Sequence, residues 1–242
     1  MRRLFCESLN PGRIVLGESQ SHHARSVLRL VIGDEVELFD PSGRTARAVI
    51  DQLEPAVALR VEFVADAPAV PDICIASAVP KGDRADWLVE KLGEIGIARW
   101  VPLKTARSVV HPQGESKFDR WHRIATEAAR QSRRVGVMEI APLTDLSVFL
   151  TTVDPTQASV LSTNPRSIPF TQFLNTKHQT PNTLLIGPEG GWSDNEVSTM
   201  HARGLTGVSL GRTILRVETA AVVAAGIVSV VASTMLLPPD RP

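Results

Sequence analysis

Two short stretches hold the residues best suited to chemistry. The first is Leu184-Leu185-Ile186-Gly187-Pro188-Glu189-Gly190-Gly191-Trp192-Ser193, an apolar segment running into three glycines and one proline in five positions. Glycines at a strand end let backbone N–H and C=O groups approach a ligand closely. A tight turn with no ligand needs one or two glycines rather than this run. The second is Leu210-Gly211-Arg212-Thr213-Ile214-Leu215-Arg216-Val217-Glu218-Thr219-Ala220, which sets two arginines and a glutamate at the entrance to the most apolar segment of the chain. Glu218 suits a helix N-terminus, whereas Arg216 opposes its dipole. A cation held there against helix stability points to an anion or a partner subunit; an exposed Arg216–Glu218 ion pair is the plainer alternative.

The elements around these loops follow from pattern. Short alternating segments at Arg13–Leu16, Glu35–Phe39, Ala46–Leu53 and Ala58–Val64, separated by Gly33-Asp34 and Pro41-Ser42-Gly43, predict a small β-rich module with one short helix near His22–Leu30. The stretch from Ala65 to Asp72 contains two prolines and little bulk and reads as a linker. Beyond it strands and helices alternate. Strands are expected at Ile73–Val79, Arg99–Leu103, Ala158–Ser162, Thr183–Ile186 and Gly207–Leu210. Helices are expected from the Asp83 cap to the Gly96 stop, over Lys117–Arg134, over Ser193–Arg203 behind a Ser193/Glu196 capping box, and from Val217 onward. That alternation predicts an α/β fold with a largely parallel sheet. Ligands in such sheets bind at the carboxyl ends of strands, where both loops lie.

The remaining composition narrows the function. Lys and Arg number 26, as do Asp and Glu, so the chain is formally neutral, and 43% hydrophobic residues describe a core-forming protein. Charge is uneven: residues 73–140 carry 12 basic against 8 acidic side chains, a net of +4. On the 117–134 helix, Phe118, Trp121, Ile124, Ala125 and Ala128 share one face. Arg120, Arg123, Arg130 and Arg134 cluster on another with Glu127, as a solvated face or a phosphate-contacting ridge. Two cysteines, Cys6 and Cys74, make a disulfide framework unlikely and exclude a cysteine-rich metal centre. His22-His23 is a poor shared metal site, and His111, His122, His178 and His201 form no pattern, so no metal is expected. P-loop, dinucleotide-binding, zinc-protease and nucleophile-elbow motifs are absent. The uncharged run from Thr219 to Pro239 is long enough to span a bilayer, but its Ala/Val richness and Ser229, Ser233 and Thr234 favour a helix buried in a core or subunit interface. An acid precedes any apolar run at the N-terminus, so no signal peptide is read and a cytoplasmic location is expected.

Together the segments 185–191 and 210–220 resemble the trefoil-knot (SPOUT) methyltransferases and, more narrowly, the ribosomal RNA small subunit uracil-N3 methyltransferase family. His23 with Val27-Leu28-Arg29, Lys81-Gly82 with Glu90-Lys91 and Glu94-Ile95-Gly96, and Gln131-Ser132-Arg133-Arg134 extend the resemblance over nearly the whole chain. Arg130 stands where the family pattern has an acid, and Val217 where it has Thr. The resemblance implies a PUA-like RNA-binding domain over residues 1–68 and a knotted α/β methyltransferase domain over 73–242. It also implies a homodimer, S-adenosylmethionine as cofactor and N3 of a uridine in 16S ribosomal RNA as acceptor. Cofactor contacts are then expected from Ser162, Ile186, Gly187, Pro188, Glu189, Gly190, Gly191, Leu210, Gly211, Ile214, Leu215 and Thr219. Arg216 and Arg212 are the expected stabilisers of charge on the uracil, Glu218 an orienting group or a proton acceptor, and Glu189 electrostatic or structural. His23, Arg25, Arg29, Arg44, Lys81, Lys91, Arg120, Arg123 and Arg133 are the expected RNA contacts. A non-catalytic RNA-binding or assembly factor, and a knotted methyltransferase acting on another RNA nucleotide, are the rival readings.

Overall fold

The computed structural model describes residues 1–236 apart from Ala69, Gln113 and 178–180. His178 and the end of the apolar run beyond Leu236 therefore lie outside the described residues. The chain forms two units: Met1–Ala69 with Thr126–Val137, and Val70–Ala125 with Met138–Pro242. The segment 126–137, which sequence reading leaves in the second domain, thus clusters with the first unit.

The first unit contains β1 (Arg2–Phe5), β2 (Gly12–Val15), α1 (Glu18–His22), β3 (Glu35–Phe39), β4 (Thr45–Gln52) and β5 (Ala58–Ala65). Its sheet has the order β1-β3-β4-β5-β2, antiparallel except where β1 runs parallel to β3. Alternation along β4 turns Ala46, Ala48 and Ile50 inward onto Leu4, Leu16, Leu38 and Leu59. The helix expected near His22–Leu30 instead starts at Glu18 and continues as a π-type turn over His23–Val27, in which Leu28 N–H reaches back to His23 O. His22 and His23 thus sit on successive helical turns. β1 is absent from the sequence reading because its pattern hides a buried arginine. Arg3 is 7% exposed, lies 4.1 Å over the Phe39 ring and donates to Ala129 O and Arg134 O.

The second unit is a parallel sheet between helices. Its strands are β6 (Cys74–Ala78), β7 (Arg99–Lys104), β8 (Glu139–Ile140), β9 (Thr144–Asp145), β10 (Ala158–Leu161), β11 (Ile168–Pro169), β12 (Thr183–Ile186) and β13 (Thr206–Ser209). The helices are α2 (Arg84–Ile95), α3 (Glu115–Ser132), whose residues from Thr126 on cluster with the first unit, α4 (Leu146–Thr152), α5 (Phe170–Lys177), α6 (Asp194–Ala202) and α7 (Val217–Leu236). The strand order is β11-β13-β10-β12-β6-β7-β8, with β9 also on β7. Every pairing is parallel, so all carboxyl ends lie along one edge. Gly96 ends α2 in the left-handed conformation, at φ 95°. A capping box of Ser193 and Glu196 opens α6. α3 stops at Ser132 because Arg133 turns left-handed at φ 55°, so Arg134 falls outside the helix and leaves the expected arginine ridge. α7 is long and apolar enough to cross a membrane by length and composition. The structure instead buries its Ala221, Ala224, Ala225 and Val228 against the second unit, where Ser229 Oγ donates to Ile95 O.

Candidate active site

Parallel pairing brings four loops to one cavity. β10 lies between β12 and β13, with Val160 opposite both Leu185 and Gly207. The chain leaving each of these strands therefore emerges beside the others. A cavity of about 760 Å3 opens there, within the size range of small-molecule sites. Its walls are Leu161–Pro165 after β10, Ile186–Trp192 after β12, Leu210–Leu215 after β13, Val217 and Ala220 of α7, Val197 of α6, and Arg107 after β7.

Most of the expected cofactor residues meet in this cavity: Ser162, Ile186, Gly187, Pro188, Glu189, Gly190, Gly191, Leu210, Gly211, Ile214 and Leu215. Thr219 does not; it is exposed and does not line the cavity. At 100° per residue it lies opposite the buried Val217 and Ala221 on α7. Arg107, Trp192, Val197 and Thr163–Pro165, which are not among the expected cofactor contacts, complete the walls.

The loop after β12 is tightly held. Gly191 takes φ 71°, a backbone region that favours glycine. A Cβ at Gly187 would stand 2.9 Å from the Trp192 ring, so the indole lies directly on the loop backbone. Trp192 Nε1–H donates to Leu161 O at 3.2 Å, tying this loop to the end of β10. Ser162 N–H donates to Val208 O and Ser162 Oγ accepts from Asn164 N–H, fixing the neighbouring turn. Glu189 is exposed at the rim.

The charged residues after β13 separate. Arg212 lines the cavity, whereas Arg216 is exposed just before α7 and does not line it. Glu218 is only 5% exposed; its Oε1 lies 3.6 Å from Arg84 Nη1 on α2, and its Oε2 is buried without a hydrogen-bond partner. The alternative Arg216–Glu218 ion pair is not formed. Away from the cavity, Asp86 of α2 accepts from Trp121 Nε1–H and pairs with Arg120.

The expected RNA contacts divide between the units. In the first, Arg25 pairs with Glu54, Arg44 with Asp40, and Arg133 donates to Met1 O. His23 Nε2 lies 2.7 Å from Arg130 Nη1; the guanidinium must donate, so His23 is neutral with its proton on Nδ1. Burial and the Arg130 charge hold its pKa below the usual 6.5. Arg130 also pairs with Glu127, so its guanidinium is engaged on two sides. In the second unit Lys91 is gripped by Glu90 and Glu94, which raise its pKa, and Arg120 by Asp86. Among the described residues, Arg29, Lys81 and Arg123 are exposed and their side chains make no hydrogen bond or ion pair. Arg29 adopts φ 52°.

A parallel sheet with a glycine loop and an arginine loop sharing one cavity marks an RNA methyltransferase: residues 68–229 match the family model described as RNA methyltransferase domain, and residues 16–55 the RNA methyltransferase PUA domain. The relatives narrow the class. The ribosomal RNA small subunit methyltransferase E of Synechocystis sp. is 33% identical over 90% of this chain and 73% of its own. That of Bacillus subtilis is 28% identical over 95% and 96%. The Neisseria gonorrhoeae enzyme of the same name, solved bound to S-adenosyl methionine, superposes with a TM-score of 0.84 at 25% identity over 96% and 98% of the two chains. A Legionella pneumophila methyltransferase solved with its bound cofactor SAM gives 0.83 at 27% identity over 95% and 97%. The chain belongs to the ribosomal RNA small subunit methyltransferase E family.

Proposed function

We propose that this protein methylates N3 of a specific uridine in 16S ribosomal RNA, using S-adenosylmethionine bound in the cavity at the ends of β10, β12 and β13. The observation that carries this is the meeting of the glycine loop and the arginine loop around one cavity of about 760 Å3. The walls fit the cofactor: backbone amides and carbonyls of Gly187–Gly191 and Leu210–Leu215 for adenosine and methionine, apolar Leu161, Ile186 and Val217, and Glu189 as a rim anion for a sulfonium. Strands β12 and β13 flanking β10, with their loops on the same edge, support the knotted threading that the resemblance implies.

S-adenosylmethionine, when bound, supplies an electrophilic methyl group. The protein's own task is to present N3 of uracil without its proton and to align it. Arg212 and Arg216 stabilise the negative charge that then spreads over the uracil oxygens, a preorganised electrostatic contribution. Arg212 is at the cavity, and Arg216, exposed immediately before α7, is available to the acceptor. Glu218 is buried beside Arg84 and so acts by orienting the start of α7, not as the group that receives the N3 proton. N3 is on the Watson–Crick edge, so the target base is unpaired or drawn from its stack.

The PUA-like unit and the basic helix hold the surrounding RNA. Arg29, Lys81 and Arg123, free of internal partners among the described residues, are its first phosphate contacts, and affinity falls as salt rises. Two copies associate through the exposed face of α7, where Val223 is 40% and Val230 68% exposed. This enzyme works in the cytoplasm, where its ribosomal substrate is made. The test is mass spectrometry of 16S ribosomal RNA nucleosides from cells with and without the gene. N3-methyluridine present only with the gene is the expected result; unchanged nucleosides overturn the assignment.

A further inference from the structure

We propose that Arg107 is a positioning residue: it clamps the glycine loop in the shape that receives the methyl donor, and sets donor affinity rather than the rate of transfer. The proposal rests on the reading of the cavity as the donor site.

Arg107 projects from a tight turn after β7. Ser108 N–H donates to Thr105 O at 3.2 Å, Thr105 N–H donates to Ser108 Oγ at 3.0 Å, and the two hydroxyls are 2.9 Å apart. Thr105 is buried, so the turn has a fixed base. From it, Arg107 Nη1 donates to Gly190 O at 2.9 Å and to Trp192 O at 3.2 Å. A Cβ at Gly190 would lie 3.3 Å from the Arg107 Cβ, so the side chain's apolar stem also rests on the loop.

The turn is fastened at a second point. Ala106 N–H donates to Glu196 Oε1 at 2.8 Å. The other oxygen of that carboxylate accepts from Ser193 N–H and Ser193 Oγ–H, closing the α6 capping box. β7 and β12 are not neighbours, since β6 lies between them. Loop contacts therefore carry the connection that the sheet does not. A loop with three glycines in five positions has many conformations to lose on binding. Two charge-assisted bonds to its carbonyls, plus the Trp192 indole bond to Leu161 O, remove most of that freedom before the ligand arrives. The Nη1 donor is spent on carbonyl oxygens, which is the chemistry of a clamp and not of an anion receptor.

The experiment measures, by calorimetry, binding of S-adenosylmethionine and of 5′-methylthioadenosine, which lacks the amino-acid portion, to wild type, Arg107→Ala and Arg107→Lys. Single-turnover transfer at saturating donor is measured beside it. A clamp predicts that Arg107→Ala weakens both ligands alike, by about tenfold or more. Arg107→Lys recovers part of the loss, and the saturated rate stays within about twofold of wild type. Loss confined to S-adenosylmethionine makes Arg107 a direct ligand of the donor's carboxylate and overturns the proposal. Unchanged affinities, or a fall in the saturated rate alone, overturn it too. A wild-type protein that binds neither ligand refutes the reading of the cavity itself, and so is distinguishable from a failure of the clamp.

Discussion

The two loops that share the cavity are built differently. The loop after β12 is stapled: Arg107 holds two of its carbonyls, Trp192 lies on Gly187 and reaches Leu161, and Ser193 with Glu196 fixes its exit into α6. The loop after β13 is open. Gly211, Arg212, Thr213 and Arg216 are exposed, and Ile214 is 83% exposed. One apolar and two cationic side chains exposed in a single loop suit an interaction surface. The comparison teaches a division of labour. On the proposed reading, the stapled loop offers the donor a wall that one chain prepares alone, whereas the loop after β13, which also lines the cavity, keeps an exposed acceptor face that RNA or a second copy would complete.

This division can be broken by substitution. The largest effect is expected of Arg216→Ala, in which single-turnover methyl transfer to small-subunit RNA falls about 100- to 1000-fold; a wild-type rate removes Arg216 from the chemistry. Gly187→Val acts on the stapled side, because its side chain collides with Trp192. Donor affinity measured by calorimetry should drop about 10- to 100-fold, the scale of overpacking a fitted site. Normal affinity would show that the indole moves aside freely.

Val230→Glu addresses the open side through α7. Sedimentation velocity should show a dimeric wild type and a monomeric variant with the fold intact by circular dichroism; a variant that remains dimeric places the interface elsewhere. Arg29→Ala should weaken RNA binding modestly and lower the slope of log affinity against log salt by about one. An unchanged slope would show that Arg29 touches no phosphate.

The smallest effect expected is on pH dependence in the first unit. His23 has a pKa lowered by burial and by Arg130, so the unfolded chain binds a proton that the folded one resists. The contribution of His23 to stability is therefore fully present above about 6.5 and is lost as pH drops from there toward the lowered folded value. Denaturant midpoints at pH 7.5 and 5.5 should differ more in wild type than in His23→Gln. Equal shifts would assign the pH effect to other groups.

What could be read from sequence was local chemistry. The Gly96 stop, the Ser193/Glu196 capping box and the strand preceding each loop all appear where residue type demands them. The cavity walls taken from the two loops follow for the same reason. What escaped was long-range. Arg107 is more than eighty positions from the carbonyls it holds, and only the parallel sheet brings its turn to the same edge. Arg3 in β1 reads as a surface charge until its partners in the segment 126–137 are known. The pairing of Glu218 with Arg84, not Arg216, likewise depends on how α7 meets α2. Neighbours in sequence were the wrong place to seek its partner.

The division between a prepared donor side and an open acceptor side is tested most directly by titrating S-adenosylmethionine into Arg216→Ala in a calorimeter. The account predicts a dissociation constant within about twofold of wild type, since Arg216 does not line the cavity. A variant that no longer binds the donor would place the exposed arginine on the donor side and contradict the division.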